Sequence, residues 1–145
     1  MKESRNNAVS EILRLAGHKV TPGRVAMLEI LQSALKPISI LDIYRKLKNS
    51  VDQVTIYRAL EALVESGLVR KVDFQHSHAH YEIVIKDDHH HHLICKVCGA
   101  VEDIENLDAV DFEKMALRKS KMFASIKSHS LEFFGLCKKC AKTSR

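Results

Sequence analysis

All four cysteines of the chain fall in two Cys-x-x-Cys pairs, Cys95-Lys96-Val97-Cys98 and Cys137-Lys138-Lys139-Cys140. Nothing else in the sequence restricts the fold as strongly. A two-residue spacer lets both sulfurs of a tight turn face one ion, so two such pairs supply the ligands of a closed tetrahedral zinc site. Gly99 follows the first pair and Gly135 precedes the second, which suits turns at both places. One ion held by both pairs would staple residues 95–140 into a unit whose folding is coupled to the metal. A thioredoxin-like redox role wants one pair at a helix start rather than two, and disulfides belong to oxidising compartments. The thiols therefore predict structural zinc in a cytoplasmic protein.

With 145 residues, 46% of them hydrophobic, the chain can bury one core or two small ones. No apolar run approaches the roughly 20 residues that span a bilayer, so no membrane is expected among its partners. The net charge of +5 is unevenly placed: residues 1–73 carry 12 lysines and arginines against 8 aspartates and glutamates. A basic excess becomes a nucleic-acid argument only on a suitable fold.

The first half has the pattern of that fold. Val9, Ile12, Leu13 and Ala16 recur at helical spacing and predict a helix over 4–16, closed by Gly17. Thr21-Pro22 caps a second helix that runs through Leu35 to Pro37. Ser39 and Asp42 have capping-box spacing and open a third, which ends near Asn49. Asp52 caps a fourth, carried by Ile56, Leu60 and Leu63 and closed by Gly67. The period then changes: 68–74 and 80–85 read as two strands joined by a polar turn. Short helices followed by a hairpin predict a winged helix-turn-helix, with the helix before the wing in the major groove. Gln53, Thr55, Tyr57 and Arg58 lie near the start of that helix. An amide, a hydroxyl, an aromatic ring and a guanidinium suit base edges, thymine methyls and phosphate.

A second chemical signal precedes the first cysteine pair. His76, His78 and His80 alternate, and His89-His90-His91-His92 runs directly into Leu93-Ile94-Cys95. On a strand over 89–95, His90 and His92 share one face while His89 and His91 share the other, so one run can serve two metals. Carboxylates should complete each shell; Glu82, Asp103, Asp108, Asp111 and Glu113 are candidates, with His129 before the second cysteine pair. Residues 108–122 read as a partly apolar helix, and Ile126 and 131–133 as returning strands.

These elements together resemble the ferric uptake regulator family over nearly the whole length. The matching motifs are Lys19-Val-Thr-Pro-Gly-Arg24, Val54-Thr-Ile-Tyr-Arg58, His80-Tyr-Glu82, the stretch His89 to Gly99, and His129-Ser-Leu-Glu-Phe-Phe-Gly135. The resemblance implies an α+β protein: a winged-helix DNA-binding domain over 1–85, then a small α/β metal-binding dimerisation domain over 86–145. It implies a homodimer whose grip on a palindromic double-stranded operator depends on bound metal, controlling metal-uptake or stress genes. Tyr57 and Arg58 take the DNA-contacting positions, and Lys19 the basic position that reaches the minor groove. Glu82, His90, His92 and Asp103 match a sensory metal site; His89, His91, Asp111 and His129 match a second site. Pro37 stands where the family usually places a further histidine, with His76, His78 and His80 as alternatives.

His91 replaces the oxygen donor usual in iron- and peroxide-sensing members, so zinc is the expected regulatory ion, with Fe(II) as the alternative. No His-Glu-x-x-His motif is present, and neither an enzymatic reaction nor a small organic substrate is expected. A metal buffer without DNA function would leave the winged-helix pattern and Tyr57-Arg58 without a purpose.

Overall fold

The computed structural model describes residues 2–75, 78–84, 90–105, 107, 111–127 and 129–143. His76, His89, Asp108 and the expected domain boundary after residue 85 lie outside the described residues. The chain divides into two compact units, Met1–Lys86 and Asp87–Arg145.

The first unit is built from α1 (Lys2–Leu15), α2 (Pro22–Ser33), β1 (Ile38–Ser39), α3 (Ile40–Lys46), α4 (Gln53–Glu65), β2 (Val69–Val72) and β3 (His80–Ile83). Each cap read from the sequence is present. Thr21 Oγ1 accepts from the Arg24 amide at 3.3 Å, and Asp52 Oδ1 from the Thr55 amide at 2.9 Å. Ser39 Oγ accepts from the Asp42 amide and donates to the Asp42 carboxylate at 2.8 Å, which holds that carboxyl below its ordinary range. Gly67 closes α4 at φ 76°, a left-handed turn that places the Leu68 amide on the Leu63 carbonyl at 3.0 Å.

Two details depart from the sequence reading. α2 ends at Ser33 instead of continuing to Pro37: Ala34 is extended and Leu35 is 97% exposed. Proline disfavours helix in the residue before it, so the chain leaves the helix early and enters β1. That two-residue strand was not legible; it pairs with β3 at Ile38–Tyr81 and Ser39–His80. The three strands form an antiparallel sheet in the order β1-β3-β2. One face of the helices and sheet buries Leu13, Leu28, Ile43, Ile56, Leu60, Leu63 and Tyr81 in a single core. The Tyr81 hydroxyl donates to Glu61, and burial first, then that carboxylate, pushes the phenol up to about 12.

The second unit contains β4 (His90–Cys95), β5 (Val101–Glu105), α5 (Phe112–Lys119), β6 (Glu132–Gly135) and α6 (Lys138–Thr143). β4 is central, antiparallel to β5 and parallel to β6. Ile126 is not in a strand, α5 stops at Lys119, and β5 and α6 were not read from the sequence. Among the described residues its buried apolar side chains are Ile94, Cys95 and Cys140, and α5 buries none. A core this small does not stabilise an independent unit, so cross-links have to contribute what burial does not. No described helix is long and apolar enough to cross a membrane.

Candidate metal centres and nucleic-acid interface

The sheet of the second unit explains how distant cysteines converge. Cys95-Lys96-Val97-Cys98 is the turn of the β4–β5 hairpin: the Gly99 amide bonds the Cys95 carbonyl at 2.9 Å, and the Cys95 amide bonds the Ala100 carbonyl at 2.9 Å. Gly99 has φ 70°, which an L side chain would oppose. Parallel pairing of β6 sets Gly135 opposite Cys95 and delivers Cys137 two residues later, while the first turn of α6 returns Cys140. All four sulfurs lie within 4.8 Å of one another, and Cys98 and Cys137 are 3.7 Å apart. A tetrahedron with metal–sulfur distances of about 2.3 Å has edges of about 3.8 Å. The donor set fits zinc in number, chemistry and size.

Electrostatics point the same way. Backbone N–H groups donate to the sulfurs, Cys137 to Cys95 at 3.3 Å and Cys140 to Cys137 at 3.4 Å. The Cys137 amide, foremost, draws the Cys95 thiol down to about 6, and the Cys140 amide lowers Cys137. Cys140, hydrogen-bonded first to Cys137 and then to Cys98, is pushed up to about 12. The four sulfurs cannot all ionise at this separation unless a cation compensates them, which is what a bound metal would do.

The histidine run obeys strand alternation over its described part. The rings of His90 and His92 stand edge to face with centroids 5.0 Å apart. His92 is 2% exposed, lies opposite Asp103 in the β4–β5 register, and has Nε2 3.7 Å from the Asp103 carboxylate. Glu105 occupies the position opposite His90, a carboxylate that sequence reasoning missed because β5 itself was missed. Glu82 lies on β3 in the first unit, where Arg70 of β2 pairs with it.

On the other face, His91 lies with its ring centroid 5.5 Å from that of His129. Its Nδ1 is 3.2 Å from the Leu131 carbonyl, an acceptor, so Nδ1 carries the proton and Nε2 keeps its lone pair. That Nε2 is buried and has no hydrogen-bond partner among the described residues. A buried, unsatisfied imidazole nitrogen fits a metal ligand. Glu113 lies 3.1 Å from His129 Nδ1. Asp111 is engaged otherwise: its carboxylate accepts from the Lys114 amide at 2.8 Å as the α5 cap and pairs with the Lys114 ammonium at 2.7 Å. The Lys114 side chain is the main reason its pKa is lowered.

In the first unit, α4 presents Gln53, Thr55, Tyr57 and Arg58 to solvent while Ile56, Ala59 and Leu60 face the core. Tyr57 is 48% exposed, so its ring is available to a partner instead of being packed inside. Lys19, Thr55 and Arg58 line one groove of about 430 Å³ together with Arg24, whose guanidinium donates to the Lys19 carbonyl at 3.1 Å. The Thr55 hydroxyl also donates to Asp52 at 2.6 Å, so it serves the cap as well as the surface.

Comparison with known proteins agrees with this architecture. The profile of the Ferric uptake regulator family matches residues 15–134. The chain is 33% identical over 144 residues to a ferric uptake regulation protein of Bacillus subtilis, covering 95% of each. It is 30% identical over 135 residues to the peroxide operon regulator of the same organism, covering 91% of this chain and 90% of that one. A solved zinc uptake regulator in complex with zinc and DNA superimposes with a TM-score of 0.68 at 26% identity, covering 98% of this chain and 96% of that one.

Proposed function

The chain belongs to the ferric uptake regulator family, and we propose that it is a metal-dependent DNA-binding repressor of metal-homeostasis genes, with zinc as the sensed ion. The observation that carries the reading is β4: imidazoles on opposite faces, His90 and His92 beside Asp103 and His91 beside His129, in a chain whose other unit exposes Tyr57 and Arg58. The names of the relatives and the zinc-and-DNA complex of a structural neighbour support it.

Three sites follow. Cys95, Cys98, Cys137 and Cys140 hold structural zinc, which cross-links the hairpin to α6 and offsets half of the thiolate charge. Glu82, His90, His92 and Asp103 form the sensory site. His89, His91 and His129 form the second site, and Glu113, beside His129, is its carboxylate in preference to Asp111, which caps α5. Residues 1–85 then serve as the DNA-binding domain and 86–145 as the dimerisation domain. Met122, Phe123 and Leu136 of the second unit are exposed by half or more, apolar surface that a homodimer would cover.

Lys19, Gln53, Thr55, Tyr57 and Arg58 form the DNA-contacting surface of a palindrome-binding dimer, with Lys19 in the minor groove and α4 in the major groove. The sensory ligands raise DNA affinity only by the difference in how well they hold an ion in the binding-competent and open arrangements. Moving a dimer from mostly open to mostly closed takes about 5 kcal/mol of such preference. Three or four charged or imidazole ligands per subunit can supply it.

Arg58→Ala tests the DNA reading. Binding to the operator should weaken by about 1–3 kcal/mol if the guanidinium meets a base, or lose about one unit of salt slope if it meets phosphate. Metal content and oligomeric state should not change. Equal affinity and equal salt dependence in a gel-shift comparison would remove Arg58 from the interface.

A further inference from the structure

Arg70 and Glu82 face each other directly in the β2–β3 register. The Glu82 side chain is 11% exposed, so its charge is largely withdrawn from water and needs a cation. Arg70 supplies one: Nε donates to Glu82 Oε1 at 2.7 Å, and a terminal guanidinium nitrogen donates to the same oxygen. An arginine fork on a mostly buried carboxylate is among the stronger charge-assisted contacts a protein makes. Yet Glu82 is also the only carboxylate that β3 offers to the sensory site.

We infer that Arg70 is a resident competitor for Glu82, an internal cation whose hold on the carboxylate an ion has to overcome or share, and that it thereby sets the free-metal concentration at which the sensory site fills. This inference rests on the reading of Glu82 as a sensory ligand. Its basis is the pair: two donors of Arg70 already lie on Glu82 Oε1, so an ion recruits this carboxylate against a contact already made. The arrangement lowers the affinity of the site and keeps it unfilled at low free metal. Arg70 is thus a positioning residue for Glu82, not itself a ligand, since a guanidinium has no lone pair to offer.

The test is zinc affinity without DNA, read by competition with a chromophoric chelator on dimeric protein that retains its four-cysteine zinc. Arg70→Gln, which keeps a hydrogen-bonding side chain but removes the charge, should bind zinc at the sensory site about tenfold more tightly or better. Arg70→Lys, which keeps a positive charge to pair with Glu82, should stay within about threefold of the wild type. In a Glu82→Gln background, which should itself bind zinc more weakly, Arg70→Gln should have no further effect. The double variant separates competition from a general change in the wing, because only competition depends on the carboxylate. If Arg70→Gln binds zinc equally or more weakly while Glu82→Gln is impaired, the competitor role is wrong and the ligand reading stands. The competitor role is equally wrong if Arg70→Lys tightens binding as much as Arg70→Gln. If Glu82→Gln binds zinc as the wild type does, the ligand reading fails and takes the inference with it.

Discussion

Replacing Cys137 with serine is expected to strip zinc from the second unit and to unfold it, leaving the first unit folded. The first unit has its own core of leucines, isoleucines and Tyr81, whereas the second buries Ile94, Cys95 and Cys140 as its only apolar side chains among the described residues. Structural zinc contributes about 10–16 kcal/mol in isolated zinc-finger peptides, as much as or more than the roughly 5–15 kcal/mol net stability of a whole domain. Removing one sulfur leaves three ligands for an ion that closes its shell with four, and frees α6 from the β4–β5 turn. Mass spectrometry under native conditions should show loss of one zinc per chain, and size exclusion should show loss of the dimer. Calorimetry should retain one transition, that of the first unit. A Cys137→Ser protein with one zinc, an intact dimer and unchanged melting would overturn the assignment.

His92→Ala carries the second large effect. His92 is buried beside Asp103 and His90 on the face assigned to sensing. Losing an outer-shell partner of a metal ligand already costs about 10–100-fold in affinity, and a ligand should cost more. The free zinc needed for half-maximal operator binding should therefore rise by about 100-fold or beyond, while DNA affinity without metal and the four-cysteine zinc are retained. His91→Ala provides the contrast, because its Nε2 faces the other way. It should weaken the dimer and leave the midpoint of the metal response within a few-fold of the wild type. If both variants lose the response, or neither does, the division of the histidine run into two functions is wrong.

The sequence disclosed what local chemistry determines. Thr21, Ser39 and Asp52 each mark a helix start because a side-chain oxygen must satisfy an amide the helix leaves open. Strand alternation separated His90 and His92 from His91 before any pairing partner was known. The misses share a different cause. β1 is two residues long and exists because β3 lies beside it, so its own sequence holds no period to detect. β5 reads Val-Glu-Asp-Ile-Glu, a charged segment whose strand character comes from pairing with β4. Without β5, Glu105 could not be set opposite His90. Likewise the choice between Asp111 and Glu113 turned on which residue caps α5, and that depends on where the helix begins. Arg70 gave no signal on its own; only the β2–β3 register puts its charge on Glu82.

Metal-dependent repression is probed most directly by the affinity of the wild-type dimer for an operator fragment as a function of free zinc, on protein that keeps its four-cysteine zinc while the remaining sites are first emptied with a mild chelator. Without added metal, binding should be weak and salt-sensitive. Affinity should then rise by two or more orders of magnitude over a narrow range of free zinc, consistent with a preference of about 5 kcal/mol for the closed arrangement. Fe(II) should require a higher free concentration for the same effect. Activation by Fe(II) well below the zinc midpoint would overturn the metal assignment alone, and DNA affinity that is the same with empty and filled sites would contradict metal-dependent repression itself.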